Sequence, residues 1–237
     1  MRFDIITLFP ELIQPYLVAG INRRAFESKQ LDVHLWQLRD FAQGNYKRID
    51  DRPFGGGPGM VMMPEPLSTC LSAIKKARST IQIASDTPVV LFSPIGRAIN
   101  QSVITRWADA KGGFASGAVL ICGRYEGLDQ RFIDAHVTHQ LSLGDFVLSG
   151  GEIAAVAFLD AIARLQPGVL TDEQSHLQDS FNPALDGLLD HPHYTRPEVW
   201  AGQTVPSVLM SGNHAKIEAW RLAQRLALTQ TLRPDLI

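Results

Sequence analysis

The sequence predicts an α/β fold built on a largely parallel sheet. Short apolar runs typical of buried strands alternate along the chain with longer stretches of helical periodicity. Some of these runs contain almost no polar residue, as expected for parallel strands that are covered on both faces. The composition, 45% hydrophobic and 19% charged among 237 residues, is that of a globular chain long enough to bury a core.

Each predicted strand is an apolar run, rich in β-branched residues, that is bounded by turn-forming residues. The predicted strands are Phe3–Leu8, Leu31–Leu38, Pro88–Phe92, Ala118–Cys122 and Val137–Leu143. Segments of helical periodicity connect or follow these runs. The predicted helices are Leu12–Phe26, Pro66–Arg78, Ala98–Ala110, Leu128–Ala135, Glu152–Leu165 and His214–Ala227.

Glycine-bearing loops follow three of the predicted strands, at residues 93–96, 123–127 and 144–151. Ligands of parallel sheets bind at the carboxyl ends of the strands, and glycine lets a ligand approach the backbone closely. We therefore expect a ligand site where these loops meet. A further glycine-rich segment, Asp51–Met60, is stiffened by prolines, and its pattern fits a turn and part of a site equally well.

Sequence signatures of other common sites are missing. No G-x-G-x-x-G follows a predicted strand, which disfavours a nucleotide-dependent oxidoreductase on an ordinary doubly wound sheet. No phosphate-binding G-x-x-x-x-G-K-[ST] or zinc-binding H-E-x-x-H occurs either. His191 and His193 stand two residues apart, but no third ligand stands at a convincing spacing, so a role other than metal binding is favoured.

The bulk properties predict a cytoplasmic protein that does not associate with membranes. The two cysteines, Cys70 and Cys122, are too few for a disulfide framework and favour a reducing compartment. Asp4 interrupts the apolar run at the amino terminus, so it is not a signal peptide, and no apolar run is long enough to span a bilayer. The net charge of −2 gives no support of its own to a nucleic-acid partner.

Irregular segments along nearly the whole chain resemble those of the bacterial tRNA (guanine-N(1))-methyltransferase family. Motifs in loops mark function more often than packing. The matching stretches are Leu8–Glu11, Asp51–Met60, Cys122–Gly127, Gly144–Glu152, Pro167–Leu170, Asp179–Phe181, Gly187–Asp190, Pro192–Pro197 and Ser211–His214, with Asp129, Arg131, Trp220 and Arg221.

The resemblance implies a fold, a reaction and a partner. The fold would be a SPOUT-type parallel sheet with a C-terminal trefoil knot, followed by a small helical domain. Residues 1–165 would form the knotted cofactor-binding domain, 166–190 an interdomain linker or lid, and 191–237 the helical tRNA-binding domain. The protein would be a homodimer with its active site at the subunit interface. It would transfer a methyl group from S-adenosylmethionine to N1 of the guanosine immediately 3′ of the anticodon in tRNA.

The resemblance also assigns cofactor contacts to the three glycine-bearing loops. Many of them would act through backbone amide and carbonyl groups, which can bind adenine edges and ribose hydroxyls. The implied contacts are Phe92, Ser93, Pro94, Gly123, Tyr125, Glu126, Leu143, Gly144, Asp145, Phe146, Val147, Leu148, Gly150 and Gly151. Position 146, often tyrosine in the family, is phenylalanine here, so a contact that needs the hydroxyl is in doubt.

The resemblance assigns the proton chemistry to Asp179 and Arg164. Asp179 would take the proton from the guanine, and Arg164 would stabilise charge on its carbonyl oxygen. An ordinary aspartate, with a pKa of about 3.9, is a weak base, and a nearby arginine lowers that pKa further. We therefore expect Arg164 to face the guanine rather than Asp179. The family also requires Mg²⁺ for methyl transfer, and Glu126 is a candidate to help bind it.

Residue types alone favour simpler roles for both residues. Arg164 ends a predicted helix, where a cation interacts favourably with the helix dipole. Asp179 lies in a polar segment, where aspartate most often forms a turn or caps a helix. The chain also departs from the family pattern nearby: Gln178 stands where an acidic residue is frequent, extra residues lie near Asn182–Leu185, and His191 replaces a small residue or cysteine.

One alternative is a protein with the same fold but without catalytic activity. A non-catalytic RNA-binding protein would use local clusters of positive charge. Such clusters are present at Arg23, Arg24, Lys47, Arg48 and Arg52. The presence of both Arg164 and Asp179 argues against this alternative.

Overall fold

The computed structural model describes residues 1–81, 87–172 and 175–237. The chain forms two compact units, Met1–Thr171 and Asp172–Ile237. The strands are β1 (Arg2–Thr7), β2 (Asp32–Gln37), β3 (Asp50–Asp51), β4 (Val61–Met62), β5 (Val89–Ala98), β6 (Gly117–Cys122), β7 (His139–Ser142), β8 (Val199–Trp200) and β9 (Gln203–Thr204). The α-helices are α1 (Gln14–Leu17), α2 (Arg23–Glu27), α3 (Pro64–Ser79), α4 (Gln101–Ala108), α5 (Gln130–His136), α6 (Glu152–Arg164) and α7 (His214–Leu232).

The first unit is built on a parallel sheet. Among its described residues, five strands pair in the order β2-β1-β6-β5-β7, and every pairing is parallel. The predicted α/β class is therefore confirmed, and each of the predicted strands is present. The strand predicted to end at Phe92 continues as β5 to Ala98, because the chain bulges and then rejoins β7.

Helices cover both faces of this sheet, which explains why the central strand β6 is a continuous, fully buried apolar run. On one face, Phe158 of α6 packs its ring edge-on against Phe3 of β1 and Phe92 of β5, at centroid distances of 6.4 and 5.8 Å. On the other face, Leu67 and Ile74 of α3 join the apolar cluster formed by the alternate strand residues. Both faces of the sheet are thus buried.

One predicted helix is wrong. Leu12–Phe26 is not a single helix but a 3₁₀ turn at Pro10–Leu12, followed by the short helices α1 and α2. Gly20, between the two helices, has a φ of +69°, a left-handed value that an α-helix does not accommodate. The apolar periodicity of this segment reflects burial of separate turns rather than of one helical face.

A cluster of charged residues closes the amino end of the sheet. Asp4 of β1 is fully buried, and both of its oxygens are bonded. Arg2 and Arg78 donate to it at 2.8 and 2.7 Å, and Trp36 Nε1 donates at 2.8 Å. Arg78 also donates to the carbonyl of Ala118 at the start of β6, at 3.1 Å. The cluster joins α3 to the first residues of neighbouring strands.

The second unit contains 3₁₀ turns, a two-stranded antiparallel ladder of β8 and β9, and the long helix α7. The predicted helix His214–Ala227 is confirmed and continues to Leu232. It begins there because the side chain of Asn213 accepts a hydrogen bond from the backbone N–H of Lys216 at 3.1 Å. In the described parts of both units, no helix combines the length and apolarity needed to cross a membrane.

Candidate functional site

A cavity of about 390 Å³ opens in the first unit at the carboxyl ends of β5, β6 and β7. All the implied cofactor contacts line it except Gly144 and Asp145, which lie in the same loop but outside the lining. The lining also includes Ile95 and Arg124, which lie in the predicted loops but are not among the implied contacts, and Gln140, which sequence reasoning missed. The volume lies at the lower end of the range of about 300–1,000 Å³ that small-molecule sites occupy.

The loop within β5 is formed by a bulge. Phe92 and Arg97 both pair with Leu141 of β7, so the residues between them leave the ladder and face the cavity. Gly96 is pressed against β7, because a Cβ at this position would lie 2.5 Å from the backbone nitrogen of Leu141. Only glycine allows the strand to return to the sheet so closely after the loop.

The loops after β6 and β7 touch each other directly. The N–H of Gly151 donates to the carbonyl of Gly123 at 3.0 Å, and a Cβ on Gly151 would lie 2.8 Å from Cys122 Cα. Tyr125 has a φ of +59° and is half exposed at the cavity. A non-glycine residue in this strained region is a common feature of functional sites.

A buried ion pair holds these two loops together. Arg124, in the loop after β6, places a guanidinium nitrogen 2.8 Å from the carboxylate of Glu152, the first residue of α6. Thr7 donates to the other Glu152 oxygen at 2.8 Å, and Arg124 also donates to the Ser149 carbonyl at 3.1 Å. The Arg124 guanidinium lies over the ring of Phe9, 4.5 Å from its centroid. Glu152 is 2% exposed, so this pair is a fixed structural link between the loops.

The glycine-rich segment is joined to the same cavity. The N–H of Glu126 donates to the carbonyl of Met60 at 3.0 Å, and the N–H of Met62 donates to the carbonyl of Gly127 at 2.8 Å. The Glu126 side chain lies over Gly59, where a Cβ would fall 2.5 Å from Glu126 Cγ. The end of this segment therefore contacts the loop after β6, next to the cavity.

Two further groups, Gln140 in the cavity wall and the buried Cys122 at the end of β6, bear on the chemistry of the site. The side-chain oxygen of Gln140 is buried and accepts no hydrogen bond within the described residues, so it is free to accept one from a ligand. Burial, reinforced by the Glu152 carboxylate, raises the pKa of the Cys122 thiol well above its usual range. Cys122 therefore remains a protonated core residue and is not a nucleophile.

The two residues implied for proton chemistry lie in different units. Arg164 is the last residue of α6 in the first unit. Asp179 belongs to the second unit and directly follows a 3₁₀ turn at Ser175–Gln178. The backbone carbonyl of Asp179 accepts a hydrogen bond from Asn182 at 3.2 Å, which fixes the local turn.

A parallel α/β sheet with glycine-bearing loops around a cavity at its carboxyl edge is the arrangement in which many α/β proteins bind small molecules. The family model described as tRNA (Guanine-1)-methyltransferase TrmD matches residues 1–237. The chain belongs to this family.

Individual relatives agree with this assignment over all of this chain and most of their own lengths. A tRNA (guanine-N(1)-)-methyltransferase of Polaromonas sp. strain JS666 is 65% identical over 237 residues, which cover all of this chain and 89% of that protein. Its namesakes from Albidiferax ferrireducens and Bordetella pertussis are 66% and 54% identical, again over all of this chain, and over 92% and 90% of their own lengths.

Proposed function

We propose that the protein transfers a methyl group from S-adenosylmethionine to N1 of the guanosine immediately 3′ of the anticodon in tRNA. The observation that carries this proposal is the full-length family match, residues 1–237, in a chain whose glycine-bearing loops surround a cavity. The alternative of a non-catalytic RNA-binding protein receives no support, because the relatives are named as enzymes.

The cavity suits the methyl donor in size and in chemistry. Its walls combine apolar side chains with backbone groups of glycine loops, the combination that binds a nucleoside closely. The unpartnered oxygen of Gln140 suits a donor such as an exocyclic amino group. When bound, S-adenosylmethionine supplies a methyl group on a sulfonium, which is transferred by in-line displacement.

Arg124 and Glu152 act as positioning residues in this proposal. Their ion pair fixes the separation of the loops after β6 and β7, which contribute most of the implied contacts. Preorganisation of this kind matters because the donor and the acceptor must be held close together and aligned. Neither residue needs to react.

Asp179 and Arg164 are the proposed catalytic residues. Asp179 accepts the proton from guanine N1, which frees the nitrogen lone pair for attack. Arg164 stabilises the negative charge that builds on the neighbouring carbonyl oxygen. A Mg²⁺ ion fits beside Glu126, whose exposed carboxylate lines the cavity and offers the hard oxygen ligand that this ion prefers. There it would supply further neutralisation of charge.

The same proposal extends to architecture. We propose that residues 1–165 contain a trefoil knot, that 166–190 act as a lid, and that 191–237 bind tRNA. Two copies of the chain form a homodimer with the active site at the subunit interface. Asp179 and the cavity loops belong to different compact units of the chain.

The decisive experiment identifies the modified atom. Purified protein is incubated with labelled S-adenosylmethionine and a tRNA in which a guanosine follows the anticodon, and the digested nucleosides are analysed by mass spectrometry. We expect 1-methylguanosine, and no product from a matched tRNA with adenosine at that position. Methylation of another atom or base, or no transfer, contradicts the proposal.

A second experiment tests the base. Asp179→Asn should bind S-adenosylmethionine like the parent protein but lose single-turnover transfer by about 10²–10⁴-fold, the usual contribution of general base catalysis. Asp186→Asn is the matched control, because it makes the same change at a turn of the same unit. A near-normal rate for Asp179→Asn shows that another group takes the proton.

A further inference from the structure

Three metal-ligating side chains come together in the second unit, at Asp190, His191 and His193. One donor atom from each lies within 4.8 Å of the others. His193 Nε2 is 2.8 Å from Asp190 Oδ2, and His191 Nε2 is 3.9 Å from Asp190 Oδ1. We propose that this cluster binds a divalent transition-metal ion, with zinc as the preferred ion, and that these three residues are its protein ligands.

The strongest support comes from the hydrogen bonding of His191. Its Nδ1 lies 3.1 Å from the carbonyl oxygen of Pro192, which can only accept, so Nδ1 carries the proton. The lone pair of a neutral ring is then on Nε2. This atom is buried and finds no hydrogen-bond partner within the described residues, and the whole residue is only 7% exposed.

A buried acceptor without a partner is destabilising, so its presence calls for an explanation. The Asp190 carboxylate, 3.9 Å away, is too distant to form a hydrogen bond with Nε2. Metal-binding histidines characteristically donate one ring N–H to a carbonyl or carboxylate and present the other nitrogen to the ion. His191 has this arrangement already in place.

Asp190 offers one carboxylate oxygen to the proposed ion. Its Oδ1 accepts the backbone N–H of His191 at 2.7 Å and faces Arg225 Nε at 3.6 Å, whereas Oδ2 faces the ring of His193. Oδ2 is thus the oxygen directed at the exposed ring of His193.

The geometry needs only a small adjustment to hold zinc. Zn–N and Zn–O bonds of about 2.0–2.2 Å separate tetrahedral ligand atoms by about 3.4 Å. This separation is longer than the 2.8 Å between His193 Nε2 and Asp190 Oδ2, and shorter than the 4.8 Å within which all three donor atoms lie. The His193 side chain is 72% exposed and can turn without disturbing the core. Two imidazoles and one carboxylate favour zinc and its neighbours over Mg²⁺ or Ca²⁺, which prefer oxygen ligands.

The spacing of the two histidines alone did not reveal this site, because the third donor is the residue immediately before them. Three protein ligands leave a fourth position for water or another donor. The proposal is independent of methyl transfer. The ion would instead fix the conformation of residues 190–193, whose His191 ring lies 6.3 Å from the ring of Trp220 on α7.

The test is zinc binding by the tag-free full chain. Protein stripped with a chelator and then dialysed is titrated with ZnCl₂ by calorimetry, and bound metal is counted by elemental analysis. We expect one zinc per chain, no binding of MgCl₂ at this cluster, and at least a tenfold loss of zinc affinity in His193→Ala, since even outer groups of metal sites contribute that much. Absence of stoichiometric zinc binding by the parent protein overturns the proposal.

Matched variants separate this site from chance binding. His214→Ala removes an exposed histidine of the same unit and should bind zinc like the parent protein. His191→Gln tests the buried donor, with circular dichroism to verify its fold, and should also lose zinc affinity. If His193→Ala and a folded His191→Gln both bind zinc like His214→Ala, the bound ion is adventitious and the proposal is wrong.

Discussion

The two ends of the same parallel sheet are built on opposite principles. At the amino end, the buried Asp4 carboxylate is bonded to two arginines and a tryptophan, and Arg78 also donates to the strand carbonyls of Arg2 and Ala118. At the carboxyl end, the strands open into glycine loops around a cavity, and the buried oxygen of Gln140 has no partner in the described residues. The amino end pairs its buried carboxylate fully, whereas the carboxyl end, beside the Arg124–Glu152 pair, leaves the Gln140 oxygen available to a ligand.

This difference separates stability from function within one unit. A polar group that is fully paired stabilises the fold only while all its partners remain, so the amino end should be intolerant of substitution. Unpaired polar atoms and exposed apolar groups at the carboxyl end cost stability and are expected where a ligand binds. Substitutions at the two ends should therefore have different signatures.

The largest effect is expected at the amino end, for Asp4→Asn. The change leaves Arg2 and Arg78 as buried cations without a counter-ion, which should lower the free energy of unfolding by about 3–5 kcal/mol. Denaturant unfolding measures this loss. Asp134→Asn, on the exposed surface of α5, is the control and should change stability by less than about 0.5 kcal/mol. Equal effects of the two substitutions would refute the structural role of the cluster.

The next largest effect is expected for Glu152→Gln. This substitution should lower both the free energy of unfolding and the affinity for S-adenosylmethionine. The substitution keeps the shape but removes the charge that pairs with Arg124, and the loss should be about 1.5–3 kcal/mol, as for hydrogen bonds to charged groups. Because the pair joins the loops after β6 and β7, S-adenosylmethionine affinity should fall as well. Calorimetric titration of the folded variant measures it, and unchanged affinity would mean that the pair does not position the loops.

The sheet could be predicted from sequence because its signal is local. Buried parallel strands are continuous apolar runs, and the loops that follow them carry the glycines that line the cavity. The bulge in β5 could not be predicted, because Gly96 is required by the backbone of Leu141, a residue of a different strand. The single helix predicted for Leu12–Phe26 failed because periodicity does not detect the left-handed turn at Gly20.

The buried ion pairs of Asp4 and of Glu152 could not be predicted either, because they too depend on contacts between separate elements of the fold. Arg124 and Glu152 are brought together by loops from different strands, and neither residue type at its position indicates the other. Asp4 was interpreted only as an interruption of an apolar run. An acidic residue inside such a run is nevertheless a usable signal, because a buried carboxylate requires a cationic partner elsewhere in the chain. The catalytic roles of Asp179 and Arg164 came from family resemblance alone.

Ile95→Ser should separate binding from stability at the carboxyl end. Ile95 lines the cavity but is 82% exposed, so the free energy of unfolding should change by less than about 0.5 kcal/mol. Loss of its apolar contact should weaken S-adenosylmethionine binding by roughly tenfold, equivalent to about 1.4 kcal/mol. Val18 is also an exposed aliphatic residue and lies far in sequence from these loops, so Val18→Ser should change neither quantity. A large loss of stability in Ile95→Ser would assign Ile95 to the core instead.

The smallest effect is a pH dependence that arises at the start of β7, towards the amino end of the sheet. Burial against the rings of Trp107 and Phe114 lowers the pKa of His139 below its ordinary value. The unfolded chain, with a histidine pKa of about 6.5, therefore takes up a proton before the folded chain does as pH falls. The stability that neutral His139 contributes is complete above the unfolded pKa and declines as pH falls towards the folded pKa. Unfolding curves recorded between neutral and mildly acidic pH give the dependence of the free energy of unfolding on pH. This dependence should be weaker in His139→Gln and unchanged in His214→Gln. An identical dependence in both variants would mean that other groups titrate.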